Sequence, residues 1–223
     1  MTVRKNSSRK DSSKTGLIIF DFDGVLADSF DALSALTCNA MNQLDISFNS
    51  DDYRALFKKN FHRGINDFFL GDAKNLDKLV QYKKSHFSSY YKQVKLFPFS
   101  KNIVQILAQN FHLAIVSSTE KKYIKKLLEK NSLLSSFFSV YGSSSKSKKQ
   151  ALLELLKNIG NPPDKTFFVT DTAGDVQEGK ICKLQTLAVA WGFHSETTLK
   201  TALPKKIFKH WQELLVYFST LKN

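Results

Sequence analysis

The chain of 223 residues is 42% hydrophobic and 24% charged, the composition of a soluble globular protein with room for one substantial core and a smaller insertion. No stretch approaches the roughly 18 uninterrupted apolar residues of a membrane helix. The two cysteines, Cys38 and Cys182, lie outside any CxxC or Cys/His cluster, which argues against a disulfide scaffold or structural zinc and for the reducing cytoplasm. The net charge of +13 attracts anions of every kind without choosing among them.

Residues 1–16 are polar and rich in Ser, Lys and Arg, and they read as a disordered basic tail. Leu17-Ile18-Ile19-Phe20 is an apolar run that stops at Asp21, too short for a secretory signal and suited to a buried parallel strand. From Ser29 to Lys95 no β-branched run occurs. Apolar residues recur there at helical spacing, first Leu33, Leu36, Ala40 and Leu44, then Leu76, Leu79, Val80 and Phe87. Phe97-Pro98 marks the return to a strand–helix alternation. Ile103, Ile106 and Leu107 precede a strand at His112–Val116, and Ile124, Leu127 and Leu128 follow it. Leu152 to Ile159 precede a strand at Thr166–Thr170, and a last strand spans Thr186–Ala190. The pattern predicts an α/β fold, a doubly wound parallel sheet of residues 17–28 and 96–223 with an all-helical cap of residues 29–95. The connections near Ser29 and Lys95–Pro98 are the expected hinges. Most of the 19 phenylalanines fall in apolar patterns such as Phe167-Phe168, which suits core filling better than base stacking.

In open α/β sheets ligands bind beyond the carboxyl ends of the strands. Here those ends carry Asp21 and Asp23, then Ser117, then Asp171 and Asp175, then Trp191 and His194. Carboxylates converging from separate strands suit a hard divalent cation such as Mg²⁺. A carboxylate can also attack phosphorus, so Asp21 is a candidate nucleophile and Asp23, two residues on, a candidate proton donor to the leaving oxygen. Ser117 and a nearby lysine would hold the non-bridging oxygens.

DFDGVLADS, the serine after LAIVS, a lysine ahead of ALLEL, and TDTAGD resemble the four ordered motifs of the haloacid dehalogenase-like hydrolase superfamily. The chain is most similar to the phosphoglycolate-phosphatase-like branch, which inserts a helical cap after the first motif. The resemblance spans about residues 17–195. It implies that Asp21 is nucleophile and Mg²⁺ ligand and that Asp23 is general acid/base, its carbonyl also binding the metal. It further implies that Phe22 and Gly24 offer backbone N–H groups to phosphate, with Ser117 and Ser118 beside them. Asp171 and Asp175 are the remaining implied metal ligands. The third-motif lysine is one of Lys146, Lys148 and Lys149, of which Lys148 fits the spacing before Leu152 best. An Asp at position 23 favours phosphoryl transfer over carbon–halogen cleavage. Two positions depart from the pattern. Thr170 replaces a frequent Gly, and Lys183 stands where the family usually ends a helix with Gly, so Lys183 must take a left-handed conformation or the turn must differ.

The expected function is Mg²⁺-dependent hydrolysis of a small phosphorylated metabolite through an aspartyl-phosphate, by a monomer or homodimer. Arg63 in the His62-Arg63-Gly64 segment and His194 are the expected specificity residues; Arg63 suits a substrate carboxylate or second phosphate. His86, His112 and His210 show no ligand spacing. The rivals are a phosphomutase of the β-phosphoglucomutase type and a non-catalytic basic module that binds nucleic acid. No catalytic residue is missing from the motifs, which favours a metabolite over a nucleic acid or a membrane as partner.

Overall fold

The computed structural model describes residues 14–142, 147–159 and 166–221. In chain order the strands are β1 (Gly16–Phe20), β2 (Ala27–Asp28), β3 (Lys95–Leu96), β4 (Phe111–Ser117), β5 (Ser139–Gly142), β6 (Thr166–Thr170), β7 (Gln185–Val189) and β8 (Lys206–Phe208). The helices are α1 (Phe30–Asn42), α2 (Ser50–Ala55), α3 (Phe61–Phe68), α4 (Ala73–Tyr91), α5 (Ser100–Leu107), α6 (Lys121–Lys130), α7 (Lys148–Ile159), α8 (Ala173–Ile181), α9 (Glu196–Thr201) and α10 (Trp211–Ser219).

Six strands form one parallel sheet in the order β5-β4-β1-β6-β7-β8. Strand residues alternate between its faces. Ile18, Phe20, Ile115 and Val169 turn to one face, where Ile103 of α5, Ile124 of α6 and Leu214 of α10 cover them. Leu17, Ile19, Ala114 and Phe168 turn to the other, against Leu152 and Leu155 of α7. Ala188 of β7 meets Val176 of α8 and Leu199 of α9. This two-sided covering is why the central strands carry continuous apolar runs. Each large side chain so buried stabilises the fold by about 1.5–3 kcal/mol.

The sheet is wider than the sequence suggested. The edge strands β5 and β8 went unforeseen because they have only four and three residues and are partly exposed, so neither shows an apolar run. Strand β7 lies one residue earlier than expected. The tail is also shorter than read: Lys14 Nζ donates to the Ala108 carbonyl at 2.8 Å, Thr15 N–H donates to the Asn110 carbonyl, and Gly16 opens β1. Residues 1–13 lie outside the described residues.

β2 and β3 pair antiparallel, Ala27 with Leu96 and Asp28 with Lys95, where the chain leaves the sheet and returns. Helices α1–α4 lie between them. Asn49 caps α2 in a reciprocal arrangement with Asp52, and Asp72 caps α4. These helices share an apolar cluster of Met41, Tyr53, Leu56, Ile65 and Leu79. Phe193, from the loop after β7, inserts into it. Among the described residues no helix is long and apolar enough to cross a membrane.

Candidate active site

Phe20 at the end of β1 is level with Ile115 of β4 and Val169 of β6. Asp21, Ser117 and Asp171 therefore leave the sheet along one edge, and all three are buried. Asp21 Oδ1 accepts the Phe22 N–H at 2.7 Å. Its Oδ2 receives Lys148 Nζ at 2.6 Å, and the same ammonium lies 2.6 Å from Asp175 Oδ2. Lys148 opens α7, and Asp175 lies in the first turn of α8, where Thr172 caps the helix. Of the candidate third-motif lysines among the described residues, Lys148 is the one placed at these carboxylates. Lys149 is exposed, its backbone N–H bonded to Glu178 Oε2 at 3.1 Å, and Lys146 lies outside the described residues.

Burial alone would depress Lys148, but the charges of Asp175 and Asp21 outweigh it and hold the ammonium well above the usual lysine range. Burial likewise pushes Asp175 up, and the Lys148 charge and hydrogen bond override it, leaving Asp175 below the usual carboxylate range. Asp21 stays well above that range through burial, opposed by Lys148 and reinforced by Asp175 and Asp171. Burial raises Asp171 to about 7, against the Phe193 N–H that donates to its Oδ2 at 2.7 Å.

Asp171 Oδ1 is buried with no hydrogen-bond partner. An orphaned anionic oxygen beside further carboxylates is what a hard cation such as Mg²⁺ selects, so the donor set fits one. As they stand, no three His, Cys, Asp or Glu side chains among the described residues converge closely enough to chelate; the Lys148 ammonium draws Asp21 and Asp175 to itself.

Asp23 is held from both sides of the cleft: Tyr91, at the end of α4, donates its hydroxyl to Oδ1 at 3.1 Å, and Ser117 Oγ donates to Oδ2 at 3.3 Å. Thr119 N–H donates to Ser117 Oγ. Ser118 is exposed at the rim of the cavity. Gly24 has φ +76° and its Cα faces Asp171 so closely that a Cβ would lie 1.9 Å from Asp171 Oδ2, which explains the glycine. Its N–H donates to the Ala27 carbonyl at 2.8 Å, so the expectation that it is offered to phosphate is not met here. Thr170 is fully buried, its hydroxyl 3.4 Å from Asp175 Oδ2.

Two expected specificity residues are corrected. His62, Arg63 and Gly64 lie on α3, not in a loop; Arg63 is exposed and does not line the cavity, whereas His62 does. His194 is buried, and its ring is fully engaged: Nδ1 accepts the Ala173 N–H at 3.0 Å, which puts the proton on Nε2, 3.0 Å from the Arg54 carbonyl. It ties the α8 N-terminus to α2, and burial keeps its pKa low. Arg54 donates in turn to the Phe193 carbonyl.

Several residues escaped the sequence. Glu178 Oε1 accepts Asn60 Nδ2 at 2.7 Å, a second link from α8 to the helical segment. Its i, i+3 position after Asp175, on one helix face, was the only available signal. Tyr91 carried none. Above the carboxylates lies a cavity of about 500 Å³, floored by Asp21, Asp23 and Lys148 and walled by Tyr53, Phe57, Phe61 and Phe87. Phe167 and Phe168 fill the core, whereas Tyr53, Phe57, Phe61 and Phe87 pack against apolar clusters and also line the cavity.

The haloacid dehalogenase-like hydrolase family matches residues 18–189, most of the chain. A phosphoglycolate phosphatase of Synechococcus elongatus is 28% identical over 203 residues, covering 89% of this chain and 94% of its own length. The pyrophosphatase PpaX of Oceanobacillus iheyensis is 23% identical over 205 residues, with 89% and 94% covered. A solved haloacid dehalogenase-like hydrolase from Streptococcus pneumoniae shares the fold with a TM-score of 0.79 at 21% identity, covering 91% of this chain and 98% of that one.

Proposed function

The chain belongs to the haloacid dehalogenase-like hydrolases, in their phosphoglycolate-phosphatase-like branch, and as a phosphoric monoester hydrolase it works, we propose, by two transfers through Asp21. An Asp21 carboxylate oxygen bonds to phosphorus as the ester P–O bond breaks. The leaving oxygen keeps the electron pair and takes the proton of the Asp23 carboxyl. Asp23, now a carboxylate, accepts a proton from water as the water oxygen bonds to phosphorus. The P–O bond to Asp21 breaks, inorganic phosphate leaves, and Asp21 is again a carboxylate.

The observation that carries this reading is the buried ion triad in which Lys148 Nζ lies 2.6 Å from both Asp21 and Asp175. Its ammonium opposes the burial that would neutralise the nucleophile. Tyr91 and Ser117 fix both oxygens of Asp23, which points its carboxyl for proton transfer. Ser117, Ser118 and Lys148 are the groups assigned to the phosphate oxygens; the Phe22 N–H, like that of Gly24, is already engaged, by Asp21 Oδ1 at 2.7 Å. Asp21, Asp171, Asp175 and the Asp23 carbonyl would hold Mg²⁺, which when bound neutralises phosphate charge; the orphaned Asp171 Oδ1 supports this. Residues 29–95 act as a cap on a core of residues 17–28 and 96–223, hinged at the β2–β3 ribbon and excluding water when closed.

The test is phosphate release from a panel of phosphate monoesters, with and without Mg²⁺, for the wild type and Asp21→Asn. Mg²⁺-dependent release that falls about 10⁴-fold or more in the variant is expected. Release that survives the substitution would overturn the role of Asp21, and no release from any ester would overturn the phosphatase.

A further inference from the structure

The cavity above Asp21 has two unlike halves, and the helical half bears on what enters. Its wall is a continuous group of rings. Tyr53 and Phe57 meet edge to face at 5.1 Å, Phe57 and Phe61 lie 5.2 Å apart, and Phe57 meets Phe193 at 5.1 Å. Val80, 53% exposed, continues the apolar surface on α4. The ring faces themselves offer a short polar leaving group no donor, although His62, Asn66 and Lys84 also line this half, and about 500 Å³ is room for a body far larger than two carbons.

Two lysines of α4 line this half, the exposed Lys84 and Lys83, of which Lys83 stands over the rings. Lys83 Nζ lies 4.3 Å from the centroid of Phe61 and 6.0 Å from that of Tyr53. It makes no ion pair or hydrogen bond among the described residues, and burial lowers its pKa to about 7. N–H donors held over ring faces without an oxygen acceptor lack their best partner. Asp77, on the same helix, lines the cavity but is exposed and forms no ion pair with Lys83.

We propose that the helical half of the cavity is a subsite for a planar ring on the leaving group, and that Lys83 binds an acceptor oxygen, carbonyl or carboxylate, on the side of that ring away from the ester. The substrate class is then a phosphate monoester of an alcohol carrying an aromatic or heteroaromatic body. A two-carbon hydroxy acid would reach Lys83 or the floor but leave the ring wall unfilled. The inference rests on the reading of the floor as a phosphatase site.

Three primary-alcohol esters separate its parts: 4-carboxybenzyl phosphate has ring and acceptor, benzyl phosphate has the ring alone, and 2-phosphoglycolate has the acceptor alone. With the full-length protein, kcat/KM is expected to fall in that order. Lys83→Met should lower the value for 4-carboxybenzyl phosphate about tenfold or more, towards that of benzyl phosphate. Phe61→Leu should lower both ring esters and spare 2-phosphoglycolate. The proposal is overturned, with the phosphatase intact, if 2-phosphoglycolate matches or exceeds the ring esters, or if Lys83→Met lowers both ring esters equally. If no ester is hydrolysed, the phosphatase reading fails, and calorimetric binding of 4-carboxybenzyl phosphate to Asp21→Asn decides the subsite. Binding weakened by Lys83→Met supports it, and no binding overturns it.

Discussion

The floor and the wall of the cavity handle charge in opposite ways. On the floor, Lys148 satisfies two carboxylates at once, and Asp23 is bonded at both oxygens. On the wall, Lys83 faces rings and has no carboxylate partner among the described residues. A site that must act on every substrate of its class needs its reacting groups held in place beforehand. A site that must choose can leave a donor for the substrate to complete, because a wrong substrate then leaves it unpaired. The floor hangs from strand ends and the starts of α7 and α8, and the wall is built mostly from the helical segment. The two are tied by Phe193, whose N–H bonds Asp171, and by Tyr91, which bonds Asp23.

Breaking the floor should have the largest effect. Lys148→Met leaves Asp21 and Asp175 facing each other without their cation, and removing one partner of a buried pair costs about 3–5 kcal/mol. Urea unfolding should report a loss of that size, with phosphate release lost as well. A variant as stable as the wild type would mean that water already screens the triad.

Uncoupling floor from wall comes next. His194→Leu strands the Ala173 N–H and the Arg54 carbonyl, for about 1–3 kcal/mol. Because both groups lie between the core and the helical segment, KM should rise in the same variant. A stability loss with KM unchanged would make His194 purely a core residue.

A pH-dependent effect sharpens the wall. Lys83 has a folded pKa of about 7, below the usual 10.5, so between those values the unfolded chain binds a proton that the folded chain does not. Stability should therefore rise with pH from about 7 to 10 and flatten above. Lys83→Met should remove that slope, read as the difference between the two proteins' unfolding curves at pH 7 and pH 9.5. Parallel curves would show that the ammonium remains well solvated.

The smallest effect lies outside both regions. Lys183 has φ +58°, the left-handed conformation that its position after α8 imposes. Lys183→Gly should stabilise the protein by about 0.5–1 kcal/mol, seen as a higher urea midpoint with unchanged kinetics.

Much of the floor was legible in the chain because its determinants are local. A strand buried on both faces must be continuously apolar, so Leu17–Phe20 and Thr166–Thr170 announce themselves, and the residue after such a run sits at the sheet's edge. That places Asp21, Ser117 and Asp171 together before any contact is known. At Lys183 the family resemblance left two alternatives, a left-handed residue or a different turn, and the structure takes the first. Strands β5 and β8 were not legible, because a short edge strand is defined by its neighbour more than by its own residues.

Sequence alone determined the four inner strands of the sheet, the helical segment between residues 29 and 95, and the carboxylates at the strand ends, all of which follow from periodicity and from where apolar runs stop. Spacing before Leu152 favoured Lys148 over its neighbours, and the tertiary structure set its ammonium between Asp21 and Asp175 while leaving Lys149 exposed. The tertiary structure alone turned His194 into a tie between α8 and α2 and left Arg63 outside the cavity. It also set Tyr91 on Asp23 across 68 positions and Lys83 over Phe61. Those contacts depend on how the helices pack over the sheet, which no local pattern encodes.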